Sequence, residues 1–431
     1  MKLTFDFIER LLSGSLPFVL TVFIGGYFTF KTRFYQFRKF VSAINVLKPQ
    51  KSEGKASFFA MCSSLSAAIG TGNIVGVAAA ISLGGAGAVF WMWISAILGM
   101  VIKSGEIALG ISYRQKNGNG FVGGPMYYIK NALPKGFGAL AAAFAFLGIL
   151  SSFFCGNVTQ INSAVASISQ SIFIRFLFGL STAALTFFVI FGGTRKIGNF
   201  LGRVLPFMAI LYIVLCLGVI IVNFGALDEA FYKIFVGAFN PRSVSGGCIG
   251  SVVRVISVGA SKGIFSNESG LGTAAIAHAN VQNTTPQKQS LFGIFEVFVD
   301  TILICTLTAL TILTSGVIID YGTVSDTPLT LNALNTVYGG FSSVLLNLML
   351  LLFGISSVIG WGLYGISFCD FLFGKKGVRL YVFIYPLFCI IGAVSSTEAV
   401  WRLAELFNGV MVIINLFVMI FLSKDVKGAL K

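Results

Sequence analysis

An apolar run from about Ser57 to Ile81 is long enough to cross a bilayer, yet S-A-A-I-G-T-G-N-I-V-G, Ser66 to Gly76, stands at its middle. Gly70, Thr71, Gly72 and Asn73 occupy positions where a continuous helix prefers Leu or Ala. The pattern predicts a helix that stops and restarts. At membrane depth, unwound backbone is tolerated only where it is buried in protein or lines a cavity. There its free carbonyls can hold a cation, while the N-terminus of the next half-helix holds an anion. The plainer alternative is close packing, because Gly72 and Gly76, four apart, let two membrane helices approach. A nucleotide-binding reading of G-x-G is much weaker, since no strand precedes it and the run continues as apolar helix.

Composition agrees with the membrane reading: of 431 residues, 56% are hydrophobic and 10% charged. The net charge of +15 would suit a nucleic-acid partner only if it formed one basic face. Instead Lys and Arg fall in short loops between apolar runs, which is the pattern of membrane orientation. Seven dispersed cysteines show no metal-site spacing and no evident pairing, so they read as small core residues. Asp6 and Glu9 precede the first apolar run and no small-residue cleavage pattern follows, so that run reads as a retained helix.

The predicted fold class is an all-α integral membrane protein of eleven transmembrane helices. Residues 1–56 give a leading helix, about Gly14 to Phe30, and a basic segment containing Lys31, Arg33, Arg38, Lys39, Lys48, Lys51 and Lys55. By the positive-inside rule that segment is cytoplasmic, placing the N-terminus outside and the tail, residues 424–431, inside. Residues 57–224 hold five helices and residues 247–423 five more, joined by an extracellular connection, 225–246, with an interfacial helix near Ala226 to Phe239. The second set also opens with an interrupted helix, broken by G-A-S-K-G-I-F-S-N-E-S-G-L-G from Gly259 to Gly272. Because five is odd, the sets must be inverted relative to each other. Interrupted helices at corresponding positions of an inverted repeat point to a midplane binding site in a secondary transporter.

Several segments also resemble a known family. G-G-A-G-A-V-F-W-M-W-I-S-A-I-L-G at Gly84 to Gly99 is similar to the signature of the alanine or glycine:cation symporters. So are G-T-G-N-I-V-G, G-G-P-M-Y-Y-I at Gly123, G-N-V-T-Q-I-N-S at Gly156 and G-I-F-S-N-E-S-G-L-G-T-A at Gly263. The resemblance spans essentially the whole chain. It implies a LeuT-like five-plus-five fold with one added leading helix, and sodium-coupled uptake of small neutral amino acids such as alanine and glycine. Lys262 departs from the Arg more usual before G-[LIV]-F-S-N-E, keeping the charge but losing the bidentate fork.

A zwitterionic substrate needs donors for its carboxylate, acceptors for its ammonium group and a wall for its side chain. Amides around Thr71, Gly72 and Asn73 can supply the donors. Carbonyls about Gly259, Ser261 and Gly263 can supply the acceptors. The Asn73 amide either joins the site or caps the half-helix, and Gln160 either reaches substrate or bonds between helices. Phe265 and Trp361 either wall the side chain or simply pack. Sodium is a hard cation and requires oxygens. Ser356 and Ser357 are expected to face the carbonyls of Ser66 to Ile69, or else to bond back to their own helix. The intramembrane charges Lys103, Glu106, Lys262, Glu268, Glu296 and Asp300 are candidates for gate ion pairs, with Lys262 to a carboxylate foremost, although purely structural pairing serves as well. Asp300 as a cation ligand or proton acceptor is a further reading, and His278 receives no role.

The expected partners are therefore an alanine- or glycine-type amino acid, sodium as coupling ion, and the lipid bilayer, with no nucleic acid and no obligate protein partner. A proton-coupled carrier of another small solute is the nearest alternative. An ion channel would want a continuous hydrophilic pore, and an enzyme would need a catalytic constellation that one histidine and scattered cysteines do not make.

Overall fold

The computed structural model describes residues 11–12, 16–46, 53–118, 120–323 and 327–431. Asp6, Glu9, Lys48 and Lys51 of the leading segment lie outside the described residues. The long apolar runs become helices because bonding the backbone within one segment leaves no polar group facing lipid. The leading helix is α1 (Leu16–Lys31), and the first interrupted run is α2 (Glu53–Ala68) and α3 (Val75–Gly84). They meet at 59° across a single 3₁₀ turn, Thr71–Asn73, as the central glycines require. Next come α4 (Ala88–Ser112), α5 (Pro125–Ala132), and a long span made of α6 (Gly138–Phe153), a π-helical stretch Phe154–Val158, and α7 (Thr159–Ala166). The first half closes with α8 (Ile172–Phe191) and α9 (Gly193–Val222).

The connection is helical as expected, α10 (Leu227–Phe239), and its Phe235 and Phe239 pack edge-on against Phe90 of the W-M-W segment. In the second half α11 (Val252–Asn267) and α12 (Thr273–Ala279) flank the second break. A further span joins α13 (Pro286–Val297), a π-helical stretch Phe298–Cys305 and α14 (Thr306–Thr314). After it come α15 (Thr327–Tyr338), α16 (Ser342–Ile384), α17 (Leu387–Val394), α18 (Thr397–Phe421) and α19 (Ser423–Ala429). The 43-residue α16 is two helices joined at Gly374, whose φ of 61° breaks the winding.

Among the described residues seven helices are long and apolar enough to cross a membrane, eight with the bent pair. The usual inside-out order is relaxed on the outer surface, where Phe23, Phe30, Phe188, Phe207, Ile210 and Phe417 are exposed. Lipid covers such side chains at no cost, so the apolar atoms need no protein partner. Two connections between spans contain regular structure. β1 (Gln115–Asn117) pairs antiparallel with β2 (Gly120–Val122), and α15 occupies the polar connection before Gly340.

The second break falls within the Gly259–Gly272 segment but takes only its last residues, Glu268 to Gly272. Gly259, Ser261 and Gly263 are within α11, and the helix stops only at Glu268, which caps it with φ 56°. Those three carbonyls therefore belong to a regular helix and are not the free acceptors expected of them. Gly259 serves close approach, because a Cβ there would stand 2.2 Å from the Ala88 carbonyl oxygen. Gly259→Ala is accordingly expected to cost ~1–3 kcal/mol by forcing α4 and α11 apart. Thermal unfolding in detergent would register it as a lowered midpoint, with binding of any substrate little changed in the protein that remains folded.

Candidate functional site

The first break is a polar knot at the centre of the bundle. Gly70 has an extended backbone, and a Cβ there would lie 2.6 Å from both Gln160 Oε1 and Ser357 Oγ, so any side chain would push these two groups off their partners. Gln160 Oε1 accepts from the Thr71 amide and the Thr71 hydroxyl, both at 3.0 Å. Here Gln160 bonds between helices. Asn73 does both things a cap and a bridge can do. Its Oδ1 accepts from the Gly70 amide at 3.0 Å, while its Nδ2 donates to Asp300 Oδ1 at 2.8 Å and Ser266 Oγ at 3.1 Å. Asp300 Oδ2 accepts from Ser266 and Thr301, each at 2.7 Å. The carboxylate is fully buried, and none of these partners is a cation.

Beside the knot, the Ser357 hydroxyl spans the carbonyls of Ser66 (3.0 Å) and Ile69 (3.2 Å). Those carbonyls are available because α2 ends at Ala68, leaving its last turn without amide donors. Ser357, Ser66 and Ile69 thus come together as the sequence suggests. Ser356 goes the other way: its hydroxyl bonds the Phe353 carbonyl of its own helix at 2.9 Å. The Ser66 hydroxyl is buried and unbonded.

Phe265 lies against Gly72, its ring 3.6 Å from where a Cβ would project. Trp401 packs on Phe265 with centroids 5.2 Å apart, and Lys262 Nζ is 5.4 Å from the Trp401 ring centroid. Lys262 pairs with Glu405 at 3.0 Å, so the expected carboxylate partner exists, on α18. Ser261 faces a cavity of about 30 Å³ that Pro17, Phe18, Phe265 and Glu405 also line. Trp361 is removed from this stack. It is buried and donates its indole N–H to Glu268 Oε1 at 2.9 Å, and Glu268 Oε2 accepts from Thr273 at 2.9 Å.

The remaining charges form two buried clusters around the second break. Glu106 Oε1 accepts from the Gly272 amide at 3.1 Å and from Asn415 Nδ2 at 2.6 Å. Although Lys103 and Glu106 share α4, Lys103 turns instead to Glu296 at 3.3 Å and to the Asn267 carbonyl at 3.0 Å. Glu296 also accepts from Ser64 at 2.7 Å and meets His278 Nε2 at 2.7 Å. Gln289 Nε2 lies 2.6 Å from His278 Nδ1, so the ring is held between Gln289 and Glu296. His278 thus has a place that reading the sequence missed. So do Glu405 and Asn415, and the available signal was a lone polar group within an apolar span.

Comparison with known proteins accords with this arrangement. The model of the sodium:alanine symporter family matches residues 1–431. The sodium/alanine symporter AgcS of Methanococcus maripaludis is 37% identical over 423 residues, 94% of this chain and 92% of that protein. GlnT of Bacillus subtilis, named as a probable sodium/glutamine symporter, is 38% identical over 434 residues, 98% of this chain and 88% of its own. The crystal structure of MhsT in complex with L-phenylalanine shares the fold, with a TM-score of 0.62 at 13% identity, covering 86% of this chain and 91% of that one. On these grounds the chain belongs to the sodium:alanine symporter family.

Proposed function

We propose that the protein carries alanine and glycine into the cell together with sodium, by alternating access across the cell membrane. The family supplies sodium as the coupling ion. The observation that carries the reading is Ser357 reaching across to the Ser66 and Ile69 carbonyls at the end of α2. Three oxygens from two helices suit a hard cation once the hydroxyl rotates its lone pairs inward. Sodium there would tie α16 to the first break, whose Thr71, Gly72 and Asn73 backbone becomes the candidate carboxylate cradle once the substrate displaces Gln160 Oε1 from the Thr71 amide and the Gly70 carbonyl from the Asn73 amide. Coupling follows, because the ion orders the same backbone that the amino acid needs. Phe265 against Gly72, backed by Trp401, would wall a substrate side chain closely, which favours alanine and glycine.

In this reading there are eleven crossings, with residues 57–224 and 247–423 as inverted repeats, the N-terminus outside and the C-terminus inside. Lys262, Glu405 and Trp401 then cover the outer side of the site. Asp300, uncompensated by any cation within the knot, is read as a second cation position.

The test is uptake of radiolabelled alanine into proteoliposomes under a sodium gradient, then under potassium or proton gradients. Accumulation with sodium alone, competed by glycine and not by leucine, is the expected result. Ser357→Ala should raise the sodium concentration for half-maximal uptake about ten-fold, the equivalent of one lost ligand at ~1.4 kcal/mol. Equal uptake driven by protons would sink the sodium reading, and competition by glutamine but not glycine would replace the substrate.

A further inference from the structure

At the foot of α1 the chain reverses through Arg33 and Phe34, both in the left-handed region with φ 57°. That conformation is costly for bulky side chains, and it persists only where the surroundings hold it. The reversal brings basic residues from the two ends of the chain together. A cavity of about 320 Å³ opens between them, lined by Lys31, Arg33, Arg38, Lys427 and Lys431 over Leu430. Two of the five cations are already held in position by neutral acceptors. Lys31 donates to Tyr27 and to Ser423 (2.8 Å), and Arg38 donates to the Thr32 carbonyl at 3.1 Å. The ion pairs among the described residues, Lys103 with Glu296, Lys233 with Glu229, Lys262 with Glu405 and His278 with Glu296, involve none of the five. Asp425, the acid on the same short helix α19, instead accepts from Tyr113 at 3.1 Å.

Five like charges around one cavity repel one another unless an anion sits among them. Exposed aromatics next to the lining residues along the chain point to the kind of anion. Phe30, Phe34 and Phe37 are 71%, 45% and 57% exposed, and the Phe30 and Phe34 rings meet edge-on at 5.3 Å. A cationic cavity with an apolar flank, at the end of a membrane-spanning helix, matches a molecule with an anionic head and hydrocarbon tails.

We propose that this cavity binds the phosphate head group of an anionic phospholipid, whose acyl chains lie along Phe30, Phe34 and Phe37. The site is separate from the transport path and does not depend on which amino acid is carried. A free phosphate would use the same cations without the aromatic flank.

The test uses the full-length protein in phosphatidylcholine nanodiscs, titrated with cardiolipin and read by native mass spectrometry, with inorganic phosphate as the second probe. Arg33→Gln with Lys427→Gln should weaken cardiolipin binding about thirty-fold, the equivalent of ~1 kcal/mol for each cation removed. Lys375→Gln with Lys376→Gln, an exposed basic pair beside Gly374, should leave binding unchanged. Should the double variant fail to fold, Lys427→Gln alone is expected to weaken binding about five-fold. Equal losses in the two basic pairs would reduce the effect to general surface charge and overturn the proposal. Saturation by inorganic phosphate that displaces the lipid would overturn it as well, assigning the cavity to a free anion.

Discussion

Asp300→Asn is expected to raise the sodium concentration for half-maximal uptake by roughly a hundred-fold, ~3 kcal/mol, in a protein that still folds. The asparagine keeps the shape and one oxygen: with that oxygen toward Asn73, 2.8 Å away, its amide N–H2 stands where the second acceptor was, and the Ser266 hydroxyl, 2.7 Å away, turns to accept from it. What it removes is charge. In the knot at the first break that charge faces an amide and two hydroxyls and no ammonium or guanidinium group. A buried carboxylate so placed is expensive unless a cation joins it, and a transported cation can do so reversibly. Sodium-dependent uptake by the purified variant decides the matter. An unchanged sodium requirement accompanied by a large drop in melting temperature would make Asp300 a structural hydrogen-bonding group and nothing more.

Lys103→Met should have the largest effect on stability, about 3–5 kcal/mol, because it strips Glu296 of the ammonium group at 3.3 Å while leaving the carboxylate buried. It also frees the Asn267 carbonyl, which ends α11. Combining it with Glu296→Gln removes the stranded charge and should recover much of the loss. A double-mutant cycle on thermal or denaturant unfolding measures the coupling. If the double variant is as unstable as the sum of the singles, the pair contributes little, and packing of the lysine stem explains the cost.

The first break was legible to the residue, because Gly70 and Gly72 inside an apolar run leave a helix few options. The second was bracketed by Gly259 to Gly272, but its free carbonyls were placed too early, at Gly259 to Gly263. Gly259 and Gly263 also interrupt an apolar run, but they are swallowed by α11 and used for contact with α4, and only Glu268, at φ 56°, ends the helix. A glycine that lets a helix pass its neighbour and one that ends a helix look alike until the neighbour is known. The same holds for Ser356 and Ser357: one residue's difference, about 100° around a helix, sends one hydroxyl to its own backbone and the other across the bundle. Charges on a helix likewise announced their burial but not their partners. Glu106 and Lys103 are three apart and yet part ways, one to the second break's amides and one to Glu296, because distance along the chain says nothing of what α12, α13 and α18 bring alongside.

The π winding of Phe298–Cys305 has a mechanical consequence for Asp300, which it carries. A π turn holds one residue more than an α turn, and each residue accounts for about 100° of rotation. Tightening that stretch to α-helical winding would swing the Asp300 carboxylate away from Asn73 by about a quarter turn, without moving the helix axis. The Phe154–Val158 stretch stands in the same relation to Gln160, two residues beyond it. Two of the groups that hold the first break together from outside it are thus mounted on, or just past, a helical segment with slack in its thread. Unscrewing either would release the break locally, leaving the packed contacts of the surrounding bundle in place.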